Sequence, residues 1–365
     1  MKNSRKLLSM ILSLVMMLSL CVGFTGCSKN DDSKPKAEAS TTLPDNVIVD
    51  QLGRQVEIPE KIEKIAATHV YGGKMLFAMG QKSKLAYQLQ LGADTDAIAE
   101  IDKEYGALPT IESTANGTDS PEALVEFGVD VVFTDAAEGT ESCDLYENAG
   151  ITAIAVSGET VEEVEETADI MAKVLGAENE AKRLKDFMHK KLDLVTSRTA
   201  KLSEKDKPVV LVTGSGGIHT AATKTMFQHQ MVEMAGGINA GADYTGRWAR
   251  ISSEDIIAKD PDFIVLGSSF GVDTVDTILA DKALAPVTAI KNKDVYIFPS
   301  TLGWWDFPMP QSVLGIIWTG TIIHPELFED VNIMDEANEV YKFMYGYTYE
   351  ELGGKISSAS LNNSN

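Results

Sequence analysis

The feature that most constrains this chain is a phrase written twice. Residues 120–134 read SPEALVEFGVDVVFT, and residues 252–266 read SSEDIIAKDPDFIVL, an offset of 132 positions. Ser120 falls on Ser252, Glu122 on Glu254 and Asp130 on Asp262, while Leu124 and Val125 fall on Ile256 and Ile257. Each copy reads as a short helix followed by a strand. Ser caps the helix, and an acid sits in the first turn, where the helix dipole favours negative charge. Pro121 suits the first helical position. A chain that repeats such a unit predicts two similar α/β lobes.

The remaining segments fit that frame. VIVDQLGRQVEIP (47–59) reads as a hairpin turning at Gly53-Arg54. KIAAT (64–68) is a short strand leading to a His69–Gly73 loop and the amphipathic helix KMLFAMG. ITAIAVS and TVEEVEETADIMAKVLG form a further strand–helix step. From Asn179 to about Lys205 the apolar residues keep helical spacing without Gly or Pro. That predicts one long helix of roughly 27 residues, about 40 Å. Beyond it PVVLVTG, KTMFQHQMVEMAGG, the second phrase and DVYIFPS restart the rhythm, and helices close the chain from Ser312. The expected fold class is α/β, with two Rossmann-like lobes of mainly parallel strands joined by one long rigid helix. The expected divisions are 46–178 and 207–347 for the lobes, 179–206 for the linker and 348–365 for a tail.

The N-terminus is read as targeting rather than fold. Lys2, Arg5 and Lys6 precede an apolar run from Leu7 to about Phe24, the layout of a secretory signal. Residues 1–26 are taken as that signal. Phe24-Thr25-Gly26-Cys27 resembles a bacterial lipobox, whose cysteine becomes lipidated and N-terminal. Residues 27–45 then read as a polar tether, placing the protein outside the cytoplasmic membrane on a lipid anchor. The net charge of −22 argues against nucleic acid, which is bound through clustered Lys and Arg. With Cys21 and Cys27 in the leader region, Cys143 is left without a disulfide partner. The five histidines form no metal-binding spacing, so no resident cofactor or metal is expected.

Taken together, DQLGRQVEIPEKIEKIAA, SPEALVEFGVDVVF, the linker, MVEMAGGINA, ISSEDIIAKDPDFIVL and IHPELF resemble the substrate-binding proteins of ABC importers. The group with a helical linker, serving iron–siderophore, haem and cobalamin uptake, is the nearest in pattern, over residues 45–347. The resemblance implies a monomeric binding protein, not an enzyme. It implies a cargo that is an iron complex or corrinoid, and as partners a permease dimer with its ATPase. It further implies that Glu122 and Glu254, one per lobe, dock on permease arginines. Read locally, the same acids are well-placed helix-start residues.

In open parallel sheets ligands bind beyond the carboxyl ends of the strands. The loops there nominate His69, Tyr71, Asp135, Ser215, His219, Arg247, Trp248, Arg250, Ser268, Phe270, Trp304 and Trp305 as ligand-binding residues. Aromatics beside Arg suit a flat or aromatic ligand carrying carboxylates. Trp318, on an apolar helix, is assigned to the core. GSGGIHTA lacks the spacing and Lys of a phosphate loop, so its glycines are read as allowing close approach of the backbone to the ligand or the neighbouring lobe. A surface hydrolase using Ser215 and His219, or a ligand-sensing receptor, is the alternative.

Overall fold

The computed structural model describes residues 43–89, 92–111, 119–214, 216–267 and 273–361. Residues from Leu43 onward form one compact unit. The expected signal, most of the tether and Cys27 lie outside the described residues. No helix among those described is long and apolar enough to cross a membrane.

The described chain opens with the expected hairpin, β1 (Val47–Val49) against β2 (Gln55–Glu57), with Ile48 opposite Val56. Gly53 takes φ +77 in the turn, a conformation glycine adopts without strain. β3 (Ile65–Ala67), β4 (Val131–Asp135) and β5 (Thr152–Val156) form a parallel sheet in that order. Helices α1 (Val70–Ala78), α2 (Ala93–Ile101), α3 (Pro121–Glu126), α4 (Thr140–Glu147) and α5 (Val161–Leu175) accompany it. The linker is α6 (Glu178–Thr199).

Beyond the linker come β6 (Val209–Thr213), β7 (Thr220–Ala222), α7 (Phe227–Met234), β8 (Ile238–Asn239) and β9 (Trp248–Arg250). They are followed by α8 (Ser253–Lys259), β10 (Phe263–Leu266), the short helices α9 (Val275–Leu279) and α10 (Thr288–Asn292), and β11 (Val295–Ile297). The second sheet is parallel with order β11-β10-β6-β8, while β7 and β9 make a separate antiparallel ribbon. The strands of the two repeated phrases, β4 and β10, are both interior to their sheets. Neighbours on each edge and burial on both faces explain their unbroken apolar runs.

Four expectations change. α1 begins at Val70, so the expected loop 69–73 is mostly helix, and all nine of its residues are buried rather than amphipathic. It packs against β3, β4 and α5 on one side and against the last helix of the chain on the other. Lys74, at its centre, is fully buried with Asp94 as ion-pair partner. Second, α6 ends at Thr199, and with 22 residues spans about 33 Å. Beyond it the Asp206 N–H bonds the Ser203 carbonyl at 2.8 Å in a tight turn that leads into the next strand. Third, after the apolar helix α11 (Val313–Ile323), helix α12 (Ile333–Tyr345) does not stay with the second lobe. It crosses back to the first, setting Tyr345 edge-on to Phe77 at 5.5 Å and stacking Phe343 on Phe187 of the linker at 3.9 Å. Lys191 of the linker is buried between Glu336 and Glu339 of this helix. Fourth, the expected tail packs down: Trp318 is fully buried and its Nε1 donates to the Ser360 carbonyl at 2.6 Å.

A buried polar cluster ties these elements together. Asp94 accepts from Lys74, from the backbone N–H of Thr95 at 2.9 Å, and from the Tyr345 hydroxyl at 3.2 Å. That hydroxyl also meets Gln311 Oε1 at 2.9 Å. Burial pushes the Lys74 ammonium below its ordinary pKa, and the charge of Asp94 opposes that shift. Removing one member of a buried pair strands the other charge. Lys74→Met is therefore expected to cost about 3–5 kcal/mol, and adding Asp94→Asn, which keeps hydrogen bonds without the charge, to recover much of it. Urea denaturation midpoints at unchanged slope would measure both.

Candidate functional site

His69, Tyr71, Asp135, Arg247 and Trp248 converge on one cavity of about 360 Å3 between the two lobes. His69 and Tyr71 lie where β3 passes into α1, and Asp135 ends β4, so all three stand at carboxyl ends of strands. The Tyr71 hydroxyl donates to Asp135 and lies 2.6 Å from the Val156 carbonyl. Burial, together with the neighbouring carboxylate of Asp135, raises the Tyr71 pKa far above its ordinary value. Asp135 also accepts the Ala137 N–H at 2.8 Å and stands 3.5 Å from His69 Nε2. The His69 and Tyr71 rings lie 4.3 Å apart. Burial lowers the His69 pKa; Asp135 opposes that shift, while Arg247 adds to it.

The opposite wall comes from a strand, not the expected loop. Trp248 and Arg250 share one face of β9 while Ala249 is buried on the other, the two-residue alternation of a strand. A Cβ on Gly214 would lie 2.5 Å from the Trp248 ring. The bare backbone of Gly214 therefore gives the indole its seat, a close approach within the second lobe rather than to the ligand or the neighbouring lobe as expected. His219 and Arg250 are exposed and line a second concavity of about 460 Å3, which meets the first at Trp248.

Three contacts cross between the lobes at the rim. Arg247 Nη2 pairs with Glu159 Oε1 at 2.6 Å. Gln230 accepts the Val161 N–H at 3.0 Å and donates to Glu162 at 3.1 Å. Burial raises the Glu159 pKa, and Arg247 partly offsets it. Deeper in the cavity, Gln228 Nε2 donates to the Asp306 carbonyl at 2.7 Å, which fixes the amide orientation. Among the described residues, Gln228 Oε1 and His69 Nδ1 are buried with no hydrogen-bond partner.

Other expected site residues fall elsewhere. Trp305 is fully buried against Tyr349, with ring centres 5.6 Å apart, and does not face the cleft. The backbone of Trp305 packs directly on Gly315 of α11, which pulls its side chain inward. Trp304 is half-buried against Phe307 at 5.1 Å, and it is Phe307 that lines the cavity. Ser215, Ser268 and Phe270 lie outside the described residues. Sequence reasoning missed Glu159, Met226 and Gln228. The signal that could have found Glu159 is its place in Ser157-Gly158-Glu159, directly after β5. A roomier concavity of about 600 Å3 lies by β2 and α4. Its Arg54 is already held by Asp50 at 2.9 Å and by the Ala153 carbonyl at 2.6 Å, so the hairpin uses that charge.

Residues 90–302 match the family described as periplasmic binding protein. The chain belongs to that family. It is thus a solute-binding protein, not an enzyme, and a bound molecule is its cargo rather than a cofactor. This periplasmic binding protein is 24% identical over 343 residues to the molybdate-binding protein MolA of Haemophilus influenzae, covering 85% of this chain and 93% of MolA. The structure of MolA bound to molybdate superposes with a TM-score of 0.67 at 20% identity, covering 83% of this chain and 98% of that one. A periplasmic solute binding protein from Veillonella parvula gives 0.67 at 22% identity, over 86% and 94%. CeuE of Helicobacter pylori with Ni(II) bound gives 0.67 at 20% identity, over 84% and 98%.

His69 makes this binding protein's stability depend on pH. Its folded pKa lies below the unfolded value of about 6.5, so the unfolded chain takes up the proton first. The stability present above about pH 6.5 is therefore lost as pH falls towards the folded pKa. His69→Gln should remove part of the stability lost between about pH 7.5 and about pH 5.5, read by denaturant titration at each pH.

Proposed function

We propose that this protein captures a compact, hydrogen-bond-donating metal chelate in the interlobe cavity and delivers it to the permease of an ABC importer. The observation that carries this reading is the pair of buried, unpartnered atoms Gln228 Oε1 and His69 Nδ1. Gln228 Oε1 is an acceptor by the orientation that Asp306 imposes. With Nε2 of His69 directed at Asp135, Nδ1 offers a lone pair that takes a hydrogen or a metal ion. Buried acceptors left open in a cleft call for a ligand that fills them. Trp248 and Phe307 supply apolar and aromatic surface. A cavity of about 360 Å3 is at the small end of ligand sites, which disfavours the much larger corrinoid. Bare molybdate is the second reading, favoured by the likeness to MolA.

Tryptophan fluorescence titration with a ferric hydroxamate, a ferric catecholate, haemin, cobalamin and molybdate tests the cargo. Saturable quenching by a ferric chelate, lost in Trp248→Phe, is expected. Saturation by molybdate alone would overturn the chelate reading.

Glu122 and Glu254 suit permease docking because capping does not account for both. In α8 the capping box is closed by Asp255, whose carboxylate accepts the Ser252 N–H at 2.8 Å, and Glu254 stays exposed. In α3 the Ser120 hydroxyl donates to exposed Glu122 at 2.6 Å and lowers its pKa. One helical turn on, at the repeat-related positions, Val125 and Ile257 are both exposed. Two acid-plus-apolar patches related by the repeat match a two-fold partner. We place the protein on a lipid at Cys27 beside that permease, which raises its local concentration there. Glu122→Ala with Glu254→Ala should abolish cargo uptake by cells at unchanged cargo affinity, and Cys27→Ala should release the protein from membranes. Surviving uptake would overturn the docking role.

A further inference from the structure

The Arg247–Glu159 contact bears on which cargo the cleft accepts. Arg247 is the cation lining this cavity, and in the closed arrangement it already holds a carboxylate from the other lobe at 2.6 Å. Arg247 follows Gly246 at the start of β9, whereas Glu159 lies in the turn between β5 and α5. The pair therefore exists only while the lobes are together. Pro308 lies against the same turn, where a Cβ on Gly158 would come within 3.0 Å of its carbonyl. Asp135 adds a second carboxylate to the lining. The described lining carries two acids, Asp135 and Glu159, against one Arg.

We propose that Glu159 is a specificity-determining residue, which occupies Arg247 and so bars small multiply charged oxoanions from the cleft. A bare tetrahedral dianion has no donor for Gln228 Oε1 and would have to displace a carboxylate from its guanidinium. It would also sit beside two like charges at short range, where each unit repulsion in a partly buried site is worth several-fold in affinity. A chelate of low net charge meets none of these penalties, because its donors satisfy Gln228 and its periphery leaves the ion pair in place.

This rests on the cleft being the cargo site, as proposed above. The test is a molybdate titration, followed by tryptophan fluorescence, of the wild type, Glu159→Gln, and Glu159→Gln with Arg247→Gln. Glu159→Gln should bind molybdate at least roughly tenfold tighter than the wild type, and the gain should vanish in the double variant. No gain in Glu159→Gln, or a gain that survives loss of Arg247, would overturn the role of Glu159. A ferric chelate titrated against the same proteins separates the two claims. Chelate binding that is lost in Trp248→Phe, without a molybdate gain in Glu159→Gln, would remove the specificity role and leave the cleft standing. Failure of every chelate and of molybdate to bind any of these proteins would remove the cleft reading itself.

Discussion

The structure turns on a single charge that never meets water. Lys74 sits in the middle of a helix buried on all sides, and Asp94 is what makes that tolerable. Around them Tyr345 and Gln311 come from the far end of the sequence, so the pair's remaining hydrogen bonds are supplied by the other half of the protein. Buried ion pairs of this kind add little net stability compared with an apolar core, but they punish misplacement. A helix that arrives displaced leaves a carboxylate unsatisfied. The cluster thereby fixes how the last helix docks on the first lobe, and so how the two sheets stand across the cleft.

That arrangement gives the cleft walls of different character. One is a set of strand ends carrying Tyr71, Asp135 and His69, locked to each other by hydrogen bonds and ring contact. The other is an antiparallel ribbon that holds an indole flat on a glycine. The first wall is polar and preorganised. The second is aromatic, with an arginine whose partner is drawn from across the gap. Fixed acceptors on one side and a stacking surface on the other suit a ligand with both a polar face and a broad one.

Much of this was legible in the sequence. The repeated phrase identified two lobes because its strands are interior, and interior parallel strands cannot hide their apolar runs. Tyr71 and Asp135 line the cavity because they follow strands, where such folds place ligands, whereas Trp248 lines it from a strand and not from the expected loop. Local signals failed where tertiary packing decides. Trp304-Trp305 reads as an exposed aromatic pair, yet the backbone of one lies on Gly315, and its ring turns to Tyr349. Lys74 in KMLFAMG implies a solvent face, because nothing nearby in sequence announces Asp94. The reach of α12 back to the first lobe was likewise invisible, since its amphipathic pattern says that one face is covered and not by what.

The route of that last helix has a consequence for how the protein comes into being. Helix α1 belongs to the first lobe by sequence, but its cover is the final long helix of the chain. A ribosome delivers the first lobe long before α12, and until then Lys74 and Tyr71's helix lie open on one side. The first lobe is thus unfinished for almost the whole of synthesis. A chain threaded end-first through a membrane would complete both halves at nearly the same moment, when its last turns arrive.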